Sequence, residues 1–438
     1  MVSGEADDAK ILERAVTLHR SGRLDEAERI YREVLTRAPR NPEALNLLGL
    51  ICYQNRDAAA AAELIRQAIA SDEAPAKYHA NLGTALAALG RNAEAEAAYR
   101  AALARDPDHA DSHGNLGVVL ERAGKLEEAI FHCRRAAELR PDSPTAHNNL
   151  GNALQARGDH AAAVEAYRQA LAIDPAYVDA LCNLGMAQLR LRDPRSAVTA
   201  FASALAREPA NRRALAWQAV AEHEAGAPES PLARLNDAIE GVALTAPEPF
   251  ESLEAFNSAL AREVTEHPSL VWEPGGKTTR HGRQTGNLLE SPGEAVRALA
   301  RAVELAVEAY VSRRRAVDPG GYFERVPDRR TLRMWGTVLA DQGHQLPHIH
   351  PAGWVSGVYY VAVPESITDG DPGHAGWIEF GRPGYEVPFD RPVEARLFQP
   401  SAGTMLLFPS FLFHRTIPFR GQENRERISI AFDLYRAR

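Results

Sequence analysis

Residues 115–151 read NLGVVLERAGKLEEAIFHCRRAAELRPDSPTAHNNLG, beginning and ending on the same Asn-Leu-Gly triplet with a period of 34 residues. Working outward in both directions, Leu-Gly pairs recur at Leu48-Gly49, Leu82-Gly83, Leu116-Gly117, Leu150-Gly151 and Leu184-Gly185. An alanine keeps the same spacing (Ala27, Ala61, Ala95, Ala129, Ala163, Ala197), and so does a proline (Pro39, Pro107, Pro141, Pro175, Pro209). Tyr31, Tyr99, Tyr167 and Phe201 share one position of the repeat, where Ile65 and Cys133 stand in the two remaining units, and Glu73 replaces one proline. Such a period predicts stacked helical hairpins. Small Gly and Ala let paired helices cross closely, the aromatic fills the gap to the next hairpin, and proline ends each unit because it cannot continue the preceding helix.

The pattern resembles the tetratricopeptide family over about half of the chain. That resemblance implies an all-α superhelix over residues 8–226, with about six repeats and a terminal helix, and a protein or peptide partner on its concave face. Asn81, Asn115, Asn149 and Asn183 precede four of the Leu-Gly pairs. An amide side chain both donates and accepts, so a ladder of them suits an extended peptide backbone, although Asn at this position is also part of the repeat pattern.

Bulk composition excludes several classes. The net charge of -8 divides evenly at Gly226, 31 acidic against 27 basic residues before it and 27 against 23 after, so neither half is a basic surface for nucleic acid or lipid. Cys52, Cys133 and Cys182 match no metal motif and read as small core residues of a reducing compartment. No apolar run is long enough to span a membrane and the N-terminus is polar, so a cytoplasmic protein is expected.

Beyond the repeats, GAPESP (226–231) and TAPEPFES (245–252) mark residues 227–250 as linker. A helix is expected over 252–267 and another from Ser291, whose Ser-Pro-x-Glu start reads as a capping box, to about Arg315. Short β-rich segments then follow at 331–341, 354–363, 376–380, 404–408 and 427–434, with turn residues between them. The expected architecture is therefore multidomain: the repeat array, then a mainly-β barrel or sandwich with supporting helices over residues 251–438.

Three histidines, His344, His348 and His350, crowd into GHQLPHIHPAGW. Residues two apart on a strand point the same way, so His348 and His350 can address one metal ion. His414 follows the strand TMLLFPS, and Arg427-Ile428-Ser429 opens the final strand. In this order the strings HIHPAGWVSGVYYV, GWIEFGRP, GTMLLFPS, FHRTIPF and RISIAFD resemble bacterial 2-oxoglutarate/Fe(II) oxygenases of the double-stranded β-helix (jelly-roll), prolyl-hydroxylase-like superfamily, in the group that follows tetratricopeptide arrays.

The resemblance implies Fe(II) and 2-oxoglutarate as cofactors, with ascorbate as a reductant, and His348, His350 and His414 as metal ligands. Arg427 and Ser429, with Tyr360 or else Tyr359, would hold the distal carboxylate of 2-oxoglutarate. His350 occupies the place where the family has an Asp or Glu, so Glu379 is an alternative third ligand and water a further one. His344 reads as a neighbour of the site and His374 as a loop residue. Trp335, Trp354 and Trp377 read as core or pocket wall, with Trp354 able to close the mouth of the site, and Arg415 and Arg425 as solvated neighbours. The implied activity is hydroxylation of a protein or peptide recruited by the repeats, coupled to decarboxylation of 2-oxoglutarate. The rivals are a three-histidine cupin-like metalloenzyme that does not use 2-oxoglutarate, and a scaffold with a degenerate oxygenase fold.

Overall fold

A computed structural model describes residues 2–70, 74–227, 237–384, 387–388, 390–393, 395–420 and 426–437. Glu73, Arg425 and residues 228–236 of the expected linker lie outside the described residues.

Helices run in antiparallel pairs from α1 (Val2–Arg20) to α13 (Arg212–Glu224), and they form a tetratricopeptide superhelix. The reason for the Leu-Gly period is visible in the contacts. A Cβ on Gly83 in α5 (Ala76–Ala88) would lie 2.6 Å from the Tyr99 ring in α6 (Asn92–Arg105), and one on Gly49 would lie 2.7 Å from Ile65. Gly117 and Gly151 stand in the same relation to Cys133 and Tyr167. The large side chain therefore packs onto the glycine of its own hairpin, which corrects the expectation that it fills the gap to the next one. Ile65 and Cys133 occupy the aromatic site without disturbing the phase, because any apolar group that fits the glycine notch serves.

The chain divides into two compact units, Met1–Ala187 and Gln188–Arg438. The division falls inside the helix Val178–Arg190, earlier than the expected boundary at 226, so the last helices of the repeat region, α13 among them, group with the β-rich region that follows. The Trp217 ring stands edge-on to Phe413 at 4.9 Å, Arg212 lies over the Trp354 ring at 4.6 Å and donates to the Pro351 carbonyl at 2.9 Å, and His223 donates to the Pro392 carbonyl. Nor is 227–250 all linker: β1 (Glu240–Ala243) pairs with β8 (Thr404–Pro409), from Glu240 opposite Leu407 to Ala243 opposite Thr404.

The second unit is a curled sheet of jelly-roll type in the order β1-β8-β5-β10-β4-β9-β6-β7, where β5 is Val355–Ala362, β10 Arg427–Arg436, β4 Arg330–His348, β9 His414–Thr416, β6 Ile378–Phe380 and β7 Arg396–Phe398; β3 (Thr279–Gln284) attaches to β4 and β2 (Val271–Trp272) to β3. β4 (Arg330–His348) is far longer than the expected segment. It pairs with β10 (Arg427–Arg436), then β3, then β9 (His414–Thr416), and so carries the sheet around its bend.

Alternation on the central strands separates core from site. From β10, Ile428, Ile430, Phe432 and Leu434 join Val355, Tyr359 and Val361 of β5 (Val355–Ala362) in a core covered by α14 (Leu253–Thr265) and α15 (Glu294–Val317). Arg427, Ser429, Ala431, Asp433 and Tyr435 face the other way. α14 starts at its Ser252 cap as expected. α15 does not use the capping box: Glu263 of α14 accepts from the amides of Ala295 and Val296 at 2.8 and 3.0 Å, and Gly293 leaves room for that carboxylate.

Candidate active site

Three imidazoles meet where β4 ends and β9 begins. His348, the last residue of β4, is register partner of His414, the first of β9, and their rings are 4.3 Å apart. His350 lies beyond the end of β4, not on the strand as the two-residue alternation implied. It is held there by its own amide, which donates to the Ser410 carbonyl at 2.8 Å, and its ring lies 5.0 Å from that of His348 and 5.1 Å from that of His414. The ligand atoms of the three all fall within 4.8 Å of one another.

Each ring has one nitrogen already committed. Nδ1 of His348 donates to the Leu346 carbonyl at 2.7 Å, Nδ1 of His414 to the Leu412 carbonyl at 3.0 Å, and Nδ1 of His350 to the Asp433 carboxylate at 2.7 Å. Those partners only accept, so the proton sits on Nδ1 and the Nε2 lone pair is the one left to bind. Burial, reinforced by the neighbouring imidazoles, pushes His348 down to about 3 and His414 well below its ordinary value. Imidazoles with fixed tautomers and a free Nε2 are the donors a first-row divalent cation requires, so this chain's residues fit such an ion, Fe(II) among them.

Behind the histidines a narrow cleft is lined by Tyr360, Arg427, Ser429, Ala431, Val358, Thr416 and Trp335. Arg427 is 2 % exposed, with its guanidinium 5.1 Å from the Tyr360 ring centroid. Ser429 is the cross-strand partner of Tyr360. Arg427 Nε meets no hydrogen-bond partner among the described residues, and the guanidinium lies beside the Tyr360 phenol. Burial pushes the Tyr360 phenol up to about 12 despite the nearby guanidinium, so it is a donor at neutral pH. A buried cation beside a phenol and a hydroxyl, with its Nε donor left unmatched, fits the distal carboxylate of a ketoacid.

The other expectations divide. Tyr359 faces the opposite side of β5, where its hydroxyl donates to Asn257 at 2.7 Å, so it is withdrawn as a carboxylate donor. Glu379 of β6 (Ile378–Phe380) is not part of the histidine group. Its register partner is Arg415, which donates to it at 2.8 Å, while Phe380 lies opposite His414, so one step along the strand turns the carboxylate away. Arg415 is accordingly the partner of a buried carboxylate, not a solvated neighbour. His344 stacks on His281 instead of approaching the three histidines, and His374 sits in a loop with φ of 52°. Trp335 is pocket wall, and Trp377 packs with Leu339 and Ile367. Trp354 does not line the cleft, its ring lying under Arg212 and its carbonyl accepting from Tyr322.

Two features were not foreseen. One is Asp433, 2 % exposed, which besides His350 accepts from Ser356 at 2.6 Å and Tyr435 at 2.9 Å. Burial alone would raise its carboxyl, but these three partners together hold it below its ordinary value. The other is a cavity of about 410 Å³ that shares His348, His350, Trp335 and Gln345 with the narrow cleft and has Lys277, Asn287, Arg333 and Tyr435 in its wall. Arg333 is steadied there over the Tyr435 ring at 5.1 Å.

Within the repeats, two of the four candidate asparagines are already engaged. Asn81 donates to Asn46 at 2.9 Å, and the buried Asn183 donates to Asn148 and Asn152. Asn115 and Asn149 are part-exposed and make no side-chain hydrogen bond among the described residues.

The family model described as "Putative 2OG-Fe(II) oxygenase" matches residues 333–433. The models "Tetratricopeptide repeat" and "TPR repeat" match residues 12–77, 81–144 and 182–239, and 151–191. Among solved structures, the APC/C hetero-tetramer Cut9-Hcn1 is similar at 19% identity and a TM-score of 0.45, over 49% of this chain and 42% of that one. The chain thus spans less than half of that relative's length. Pseudomonas aeruginosa pilF is similar at 18% identity and a TM-score of 0.45, over 49% and 98% of the two chains. YrrB, titled a TPR protein with an unusual peptide-binding site, is similar at 20% identity and a TM-score of 0.34, over 39% and 88%. No curated protein matches the chain. This chain joins tetratricopeptide repeats in its N-terminal region to a domain that matches the "Putative 2OG-Fe(II) oxygenase" family model over residues 333–433.

Proposed function

We propose that the chain is an Fe(II)- and 2-oxoglutarate-dependent hydroxylase acting on a protein or peptide. The observation that carries this reading is that one cleft joins His348, His350 and His414 to Arg427, Ser429 and Tyr360. A cupin-like centre without the ketoacid would give a fully buried Arg427, which meets no carboxylate among the described residues, no purpose, and burying such a charge is costly. Bound Fe(II) with 2-oxoglutarate and O2 would supply the oxidising chemistry, one oxygen atom going to succinate and the other to the substrate, leaving orientation and exclusion of water to the protein.

The three histidines would hold the metal through Nε2. Arg427, Ser429 and Tyr360 would hold the far carboxylate of the ketoacid and so fix its reactive end toward the metal. The larger cavity, which shares His348 and His350 with the cleft, is where a substrate would enter. Its two cations, Lys277 and Arg333, favour a segment carrying a carboxylate near the oxidised carbon, since the one acid in its wall, Asp433, is already bonded. The repeats would bring that segment, with Asn115 and Asn149 the amides left to grip a peptide backbone. The test is succinate release from 2-oxoglutarate with Fe(II) and ascorbate. Wild type is expected to release it and His414→Ala to lose it, and equal release by both would overturn the assignment.

A further inference from the structure

Three neutral imidazoles carry no charge, so a dication with a bound ketoacid dianion would sum to zero, one negative charge short of a site with a carboxylate ligand. The missing charge lies one residue deeper. We propose that Asp433 supplies it through His350, as a positioning residue that acts on the metal without touching it. The inference rests on the reading of the histidines as a metal site.

The geometry points to this in three ways. Asp433 is 2 % exposed and meets no Lys or Arg at ion-pair distance among the described residues, its only ion-pair contact being His350. A buried carboxylate without a cation is costly, and a metal ion on the far side of the ring it holds would supply one. Second, the hydrogen bond runs from His350 Nδ1 to Asp433 Oδ1 at 2.7 Å, which directs Nε2 at the metal position and makes the imidazole a stronger donor. Third, the surroundings are shaped around the carboxylate. Ser356 and Tyr435 donate to it at 2.6 and 2.9 Å, and a Cβ on Gly353 would come within 3.3 Å of the Asp433 Cγ and 2.8 Å of Ser410 Oγ. One face of β10 thus carries both counter-charges, Arg427 for the ketoacid and Asp433 for the metal.

The test measures metal affinity of the whole chain by Co(II) titration under anaerobic conditions, following the visible absorption of the bound ion. Asp433→Asn keeps an acceptor for His350 and removes only the charge. It is expected to weaken Co(II) binding about 10- to 100-fold and to shift the absorption bands. Ser356→Ala and Tyr435→Phe, which leave the charge in place, are expected to change affinity less than about threefold, a small fraction of that range. Asp433→Asn binding Co(II) like wild type, while His414→Ala does not bind, would overturn this inference and spare the metal site. Absence of Co(II) binding by wild type would overturn both. Should Asp433→Asn not fold, proton NMR of the wild type decides. A slowly exchanging His350 Nδ1–H resonance that survives Zn(II) loading supports the proposal, and loss of that proton on loading contradicts it.

Discussion

Replacing Arg427 by methionine should weaken 2-oxoglutarate binding severely while making the ligand-free protein more stable. The side chain is fully buried, its Nε has no partner among the described residues, and burial holds its pKa below the usual arginine value, so in the empty molecule its charge is desolvated with only the Tyr360 phenol to offset it. Exchanging such a group for an apolar side chain of similar length is worth about 1–4 kcal/mol. In a unit of this size each kcal/mol raises Tm by about 2–4 °C. With ketoacid bound the sign reverses, because removing one partner of a buried charge pair costs about 2–5 kcal/mol. That is roughly a 30- to 5,000-fold rise in the 2-oxoglutarate concentration giving half-maximal succinate release. The assays are thermal unfolding without and with 2-oxoglutarate, and a 2-oxoglutarate titration of turnover. The ligand should stabilise wild type and leave Arg427→Met unmoved. A variant that unfolds earlier yet saturates within threefold of wild type would refute the reasoning, since Arg427 would then be a structural residue.

Three further outcomes follow from the same geometry. His348 and His414 have folded values below the ordinary histidine value, so the stability they contribute is complete above about pH 6.5 and is lost as pH falls, for His348 down to about 3. Metal-free wild type should therefore lose up to about 1.4 kcal/mol more per pH unit than His414→Gln between pH 6.5 and 5 in denaturant titrations, and parallel curves would count against buried neutral imidazoles. Trp217→Ala removes the ring packed on Phe413, next to His414, and should lower Fe(II) affinity about 2- to 12-fold, the equivalent of one aromatic pair, with circular dichroism unchanged; an unaltered affinity would mean that α13 does not steady the ligand. Arg333→Ala should raise KM for an acidic peptide about two- to fivefold at low salt and leave a neutral peptide unaffected, as expected for one partly screened charge, and an equal effect on both would remove the preference for acidic substrates.

The periodic part of the molecule was legible because the repeat writes its packing directly into the chain: Gly83 and Tyr99 meet because the notch is made by one and filled by the other. The β-rich half was legible where a strand alternates. Arg427, Ser429 and Tyr360 line one cleft because they occupy one face of paired strands, and the same alternation sends Tyr359 into the opposite core. Register was not legible. Whether Glu379 reaches the histidines depends on a one-residue shift between β6 and β9 that puts Phe380, not the carboxylate, opposite His414. The second half of β4 was missed because Gly343 and Pro347 interrupt its pattern, and β1 because four residues amid prolines look like linker. Asp433 could have been found, since it stands on the Arg427–Ser429 face of the last strand at even spacing, where a carboxylate in an apolar run calls for a partner.

Oxygen-free crystals grown with Fe(II) and a 2-oxoglutarate analogue test the central claim most directly. The account predicts one iron bonded by Nε2 of His348, His350 and His414 at about 2.0–2.2 Å, near the distances usual for imidazole nitrogen and divalent metals, with the analogue's distal carboxylate on Arg427 and Tyr360. Iron bound by Glu379, or the analogue lying away from Arg427, would contradict it.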